Sequence, residues 1–461
     1  MKTTILTLFM FVAICTAKAA ELLVPSQYAT IQEAIVAASP GDVIIVSNGI
    51  YVENLDFLGK AITVTSNFHT TGNVNDILNT IIDGSQPIDT DFGSCVRFAN
   101  NETETSVLKG FTITGGSGTK TYNPAENRYF RTGGGILIDH ASPTIIHNII
   151  RNNACVAESG VFGAGGGGIR MGFGQPVIEN NVIKNNLGGY AGGIMIAYCG
   201  GTVLRNNLIA YNLATGSFNG GGGVYVDWEP ITLENNTIVK NHSDDKGGGI
   251  ISTGTSTVIV NCIIYGNTAT NGFPQIFKRF GGGNATLTYT AIEGGFDGTG
   301  DEEGMITDDP LFEDTNSFYL TPSSPCIDTG NPDPQYNDVE DPSNPGNALF
   351  PAMGTLRNDM GAYGGQGSAV ILGIPEHEVD PERIRVQYVN PYNNEGLYII
   401  SKEVAHINLQ YISIDGKILF QKQDLPLNPG KNLIPLEIST SGLLRITPTK
   451  GAPIILKLIK K

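Results

Sequence analysis

Charge is scarce in this 461-residue chain, and basic charge is scarcest. Only 16% of residues are charged, with 28 Lys and Arg against 44 Asp and Glu, for a formal net charge of −16. A phosphate backbone needs a basic stripe to neutralise it, so nucleic acid is not expected as a partner. A polyanionic sugar is repelled as well, unless a local basic cleft overcomes the global field. Tryptophan occurs once, as Trp228. Cysteine occurs six times, without a CxxC or a Cys/His metal spacing, which points to small buried side chains in a β-core. Loss of Cys15 with a leader would leave an odd number, which rules out complete pairing within one chain. No run of about 18 apolar residues follows the first 20, so no transmembrane helix is expected in the mature chain.

The first 20 residues read as a signal peptide. Lys2 supplies a basic start, Ile5–Ile14 is mostly apolar, and Ala17-Lys18-Ala19 gives a small-x-small cleavage step. A lipoprotein anchor through Cys15 fits less well, because Ile14 is bulky where a small residue belongs. The expected location is outside the cell, secreted or on the outer surface.

Glycine, by contrast, is abundant at 59 residues, which with 40% hydrophobic content indicates many tight turns between buried strands rather than disorder. Five segments align: TIIHNIIRNN (144–153), VIENNVIKNN (177–186), VLRNNLIAYN (203–212), TLENNTIVKN (232–241) and VIVNCIIYGN (258–267). Repeats of 26 to 33 residues without helical periodicity predict a solenoid of β-coils. Ile145, Ile178, Leu204, Leu233 and Ile259 form one inward column, and Ile150, Ile183, Ile209, Ile238 and Ile264 another. Between them Asn148, Asn181, Asn207, Asn236 and Cys262 are placed to stack as a ladder. A second motif occurs once per coil: GGGILIDH (133–140), GGGIRMGF (166–173), GGIMIAY (192–198), GGGVYVDW (221–228) and GGGIIST (247–253). No Lys-Ser/Thr follows and no helix opens, so these are not phosphate loops. Val107–Gly116 looks like an earlier repeat. Thr30–Ser39 is the clearest helix, with Thr30 and Glu33 as a capping box, and is suited to cover the solenoid's open end.

Val24–Asn54, followed by these coils, resembles the pectin-lyase-like right-handed β-helix superfamily. The stretch from Asp309-PLF to Asp359-MGAYGG resembles the closing segment of secreted bacterial β-helix proteins. Together they cover about residues 22–368. The fold expected is therefore all-β: a right-handed parallel β-helix over 21–372 with an N-terminal capping helix and a closing segment from about 305. A linker and a small C-terminal β-sandwich follow over 373–461. Within the latter, short strands are expected at 397–400, 407–412, 418–421, 432–436 and 443–447, with a hairpin turn at Asp415-Gly416. YVNP (388–391), IDGK (414–417), SGLLRI (441–446) and the basic end KLIKK (457–461) resemble the sorting domain of the type IX secretion system. That resemblance implies the secretion machinery as a partner.

Chemistry is harder to place. Relatives on this fold include polysaccharide lyases, hydrolases and esterases, and no segment reproduces their signatures. Counting along the Gly-strand motif sets His140, Phe173, Tyr198 and Trp228 in one column and Asp139 and Asp227 in the column before it. In register these give a ladder of rings flanked by carboxylates, suited to the apolar faces and hydroxyls of sugars. The insertion 116–132 carries Lys120, Arg128 and Arg131 and could fold over the ladder. In a lyase, these would neutralise a uronate while His140 or a lysine took the proton. Asp333, Asn337, Asp338 and Asp341 offer oxygen ligands for Ca2+, without EF-hand spacing. The reading favoured by the sequence is a monomeric, non-catalytic, glycan-binding or adhesive surface protein. The alternative is a polysaccharide lyase acting on uronic-acid polymers.

Overall fold

The computed structural model describes residues 19–368 apart from 125, 217–219, 255, 280–284 and 297–302. Beyond 368 it describes only the strands 384–387, 397–401, 405–413, 418–427, 430–434, 442–448 and 454–458. The leader, apart from its last two residues, lies outside the described residues. So do the Asp415-Gly416 turn and most of the sorting-type motifs. The chain divides into two compact units, Met1–Ile374 and Pro375–Lys461.

The first unit is a parallel β-helix. Strands one coil apart pair in parallel to build a ten-stranded sheet (Glu21–Val24 to Thr286–Thr288), a nine-stranded sheet (Gly49–Tyr51 to Ala291–Ile292) and an eight-stranded sheet (Leu55–Asp56 to Ile276–Arg279). The hydrophobic columns fall in the expected register. Ile145 pairs with Ile178, then Leu204, Leu233 and Ile259, and Ile150 leads likewise to Ile264. All are at most 1% exposed, so each removes a full aliphatic side chain from water, worth about 1.5–3 kcal/mol.

The asparagine ladder forms as well. Asn207 Nδ2 donates to the carbonyls of Ile178 and Arg205 and to Asn236 Oδ1, while Asn207 Oδ1 accepts from the backbone and side-chain nitrogens of Asn181. A second ladder, not read from the sequence, runs through the Asn that closes each repeat: Asn153, Asn186, Asn212, Asn241 and Asn267. These amides complete the bonding of backbone groups at the bends, where the sheet ladders are interrupted. The glycine runs have a steric cause: a Cβ on Gly134 would stand 2.2 Å from the carbonyl oxygen of Gly167 in the next coil.

The capping helix spans Ile31–Ala37, with the Thr30–Glu33 capping box in place and Ile31, Ala34 and Ile35 buried on the end of the core. Two short helices, Phe68–Thr71 and Asn75–Asn79, lie between strands Thr63–Ser66 and Thr80–Asp83. Phe296 and Met305 pack against the main core, and Ile306 bridges to Ala291, before the closing segment leaves the last coil. It runs back along the flank, packing Phe318, Leu320, Met360 and Tyr363 on an apolar outward row that includes Ile149, Val182, Leu208 and Ile263. Asn206 and Asn235, at turn positions of successive coils, donate to its Ala362 and Asp359 carbonyls.

In the second unit, the described strands form a three-stranded and a four-stranded antiparallel sheet. Ile399 and Ile434 of the first and Ile407, Leu409, Tyr411 and Ile446 of the second are buried.

Candidate functional site: a cleft between a hairpin and a column of rings

The Gly-strand motif builds one wall of the site. Strands Ile136–Asp139, Ile169–Gly172, Ile194–Ala197, Val224–Asp227 and Ile250–Thr253 pair so that Asp139, Gly172, Ala197, Asp227 and Thr253 lie in one outward row. The next residue in each coil turns left-handed: His140 at φ 52°, Phe173 at 54°, Tyr198 at 57° and Trp228 at 64°. A bulky residue held there costs about 1–2 kcal/mol, and such strain gathers at functional sites. Stacking offsets part of it. The rings of His140 and Phe173 lie 4.5 Å apart at 19°, and those of Phe173 and Tyr198 4.9 Å apart at 9°.

This corrects the expected role of the ladder. Rings stacked at the coil repeat cover one another's faces and present edges outward, so they do not each offer a sugar a flat surface. Trp228 departs from the stack. Its ring lies against Gly254, where a Cβ would be 2.8 Å from Cε3, and among the described residues no ring contact joins it to Tyr198. Trp228 is half-exposed.

The insertion 116–132 is an antiparallel hairpin of Gly118–Asn123 and Arg128–Thr132, not a loose loop. Its Thr121 and Phe130 face the ring column across a cleft of about 470 Å3, floored by Leu137, Arg170 and Met195. Asp139, His140, Phe173, Tyr198, Asp227 and Trp228 all line this cleft, as their shared motif position foretold.

The three basic residues expected at the site do not line it. Lys120 lies 3.5 Å from Asp91 and over the Tyr129 ring, and Arg128 sits 3.9 Å from the Phe162 ring centroid. Arg131 is buried, paired with Glu158 and donating to the carbonyls of Thr90 and Gly118. Alternation along the hairpin accounts for Lys120 and Arg131, which are directly paired and share one face while Thr121 and Phe130 share the other; Arg128 has the parity of Phe130 and lies over the Phe162 ring instead.

The cation that does line the cleft is Arg170, which the sequence reading missed. Its row reads Arg97, Leu137, Arg170, Met195, Tyr225, Ile251 and Phe277, so a charge set between apolar outward neighbours was the available signal. Arg170 Nη1 is buried without a hydrogen-bond partner. Burial holds the guanidinium below its ordinary pKa, against the opposing pull of the Cys199 thiol, Asp139 and Asp227. Burial also pushes the Asp227 carboxyl up to about 6, against Arg170 and Arg279.

The acidic stretch is not gathered into a cation site. Asp333 accepts from the Gln335 amide as the cap of a short 3-10 turn that ends before Asn337, and Asp341 accepts from the Ser343 amide and hydroxyl. Asp338 is buried and accepts from the amides of Asp359 and Gly365. Burial raises the pKa of both Asp338 and Asp359. Among the described residues no group of three or more His, Cys, Asp or Glu could hold a metal ion. The carboxylates of Asp333, Asp338 and Asp341 instead accept hydrogen bonds from backbone amides.

A family model described as "Right handed beta helix region" matches residues 61–269. No curated protein matches the chain. Among solved structures, the crystal structure of pectate lyase Pel9A is similar at 11% identity, over 75% of this chain and 96% of that one, with a TM-score of 0.35. That likeness is too slight to carry an argument about activity. No described helix is long and apolar enough to cross a membrane. Residues 61–269 thus match a right-handed β-helix region by sequence pattern, and their coils pair strand to strand as a parallel β-helix.

Proposed function

We propose that this chain is a secreted or cell-surface β-helix protein that binds a glycan, without cleaving it, in the cleft between the hairpin and the ring column. The observation that carries the reading is the convergence in one cleft of the apolar side chains of Leu137 and Met195, a single half-exposed Trp and two carboxylates. Coils repeat about every 4.8 Å, so a saccharide laid along the axis meets a new rung at roughly each sugar. Trp228 supplies an apolar surface and Asp139 and Asp227 accept hydroxyl hydrogen bonds. Asp139 and Asp227 stand three coil steps apart, about 14 Å, and side chains perpendicular to the sheet keep roughly that spacing. Hydrolytic carboxylate pairs stand about 5–9.5 Å apart, so this pair suits binding better than hydrolysis. The leader-like first 20 residues and the sorting-type C-terminal motifs support export.

Affinity electrophoresis through acidic and neutral polysaccharides tests the reading. Retardation by at least one polymer, weakened in Trp228→Ala and without new chain ends, is expected. Free migration through every polymer would overturn it.

A polysaccharide lyase is the second reading, favoured by Arg170 itself. A cation in the cleft with an unpartnered nitrogen would neutralise a uronate carboxylate during proton abstraction. Ultraviolet absorbance from unsaturated products, lost in Arg170→Gln, would establish it in place of the first.

A further inference from the structure

Resting on the glycan-binding reading, we infer that Arg170 and Asp227 form a proton-linked anion site: a carboxylate on the bound sugar takes Arg170 as its partner while Asp227 takes up one proton from solvent. Arg170 has an unfilled place. Nη1 is buried with no partner, and the guanidinium rests over Gly172, whose lack of a side chain opens the floor to it. Buried cationic groups without partners are unfavourable, and an anion is the partner that compensates most.

Two carboxylates stand nearby without filling that place. Among the described residues neither Asp139 nor Asp227 forms an ion pair with Arg170, although both act on its charge. They lie on either side of it along the axis, with Gly172 and Ala197 between them. A ligand carboxylate seated on Arg170 therefore approaches Asp227. An ionised Asp227 repels it, and a neutral one can donate to it.

The surroundings single out Asp227 as the group that changes. Arg279, two coils on, donates to the Tyr225 hydroxyl at 3.2 Å. The Tyr225 and Tyr190 phenols are raised by burial and stay neutral. Glu126 lines the cleft from the hairpin. His140 sits in the first of these coils, its Nδ1 3.1 Å from Asp139, and is well exposed. Burial leaves the Asp227 carboxyl titrating near 6, within the range where a ligand carboxylate is already ionised.

Calorimetric titration with tetragalacturonate and its methyl ester, from pH 5 to 8 in buffers of different ionisation enthalpy, tests the inference. The acid should bind with uptake of about one proton near neutral pH, and its affinity should fall about tenfold per pH unit above roughly 6. The ester should show neither effect. Asp227→Asn should abolish the pH slope and bind the acid more tightly than the unaltered protein at pH 7.5. Arg170→Gln should lose the acid and keep the ester. His140→Gln should retain the slope. Acid binding without proton uptake, or a slope that survives Asp227→Asn, overturns the inference. Binding of the ester alone overturns the anion site and leaves the glycan reading standing. Binding of neither overturns the anion site, and the glycan reading falls with it only if the protein also migrates freely through every polymer in the electrophoresis.

Discussion

Arg170 and Gly172 share one strand, and the guanidinium of the first lies over the second: a Cβ on Gly172 would stand 2.8 Å from Nη1. Gly172 is the one glycine of an outward row that elsewhere carries Asp139, Ala197, Asp227 and Thr253. The close approach explains the choice of residue. Gly172→Ala should displace the guanidinium and weaken glycan binding by about 1 kcal/mol, roughly fivefold, while the solenoid melts almost unchanged. Equal affinity for variant and unaltered protein would show that Arg170 does not contact the ligand.

Asp227 makes a separate prediction about stability. Its folded pKa lies above the value near 4 of an unfolded chain, so the folded state holds the proton more tightly. Stability then falls as pH rises from about 4 through about 6, and is level beyond. Asp227→Asn removes the buried charge. The variant should melt higher than the unaltered protein at pH 7.5 and at the same temperature near pH 4. The buried carboxyls of Asp338 and Asp359, also raised, act in the same direction. Because buried His147, lowered to about 4, acts in the opposite direction, the check is the difference between the two proteins: a variant that melts no higher than the unaltered protein at pH 7.5 would contradict this account.

The asparagine ladder can be broken and extended. Asn207→Ala leaves the Asn181 amide and the Ile178 carbonyl buried and unpaired, and should destabilise by about 2–5 kcal/mol. At the fifth rung Cys262 stands where Asn stands in the four before it, accepting only a long 3.4 Å bond from the Asn236 amide. Cys262→Asn would continue the ladder and should stabilise by about 1 kcal/mol. Denaturant melts of the two variants would check both signs. A neutral Asn207→Ala would mean that water replaces the ladder bonds.

Cys95, Cys155, Cys199, Cys262 and Cys326 are free and buried. Burial raises all five thiols, four of them to about 12, so they should resist a thiol reagent in the native protein. Denaturation should release five thiols if the leader has been removed with Cys15, and six if it has not. A rapid native reaction would show that a coil opens locally.

The sequence determined the solenoid because each coil repeats its own instructions. An inward aliphatic at Ile150 and its successors, an Asn at the bend and glycines before the next strand are local demands, met again at a fixed spacing. The same spacing set Asp139, Asp227 and the four rings on one side, since residues at equal places in parallel coils must align. Tertiary structure decided what no period encodes. Which hairpin face meets the cleft turns on the phase of its alternation, and that phase sends Lys120 and Arg131 away and brings Phe130 in. The closing segment lies along the flank because the outward row containing Ile149, Val182 and Leu208 is apolar and must be covered. Arg170 keeps a nitrogen unpartnered where Gly172 makes room for its guanidinium and neighbouring coils set Asp139 and Asp227 on either side. That arrangement depends on three coils at once, and one stretch of chain does not reveal it.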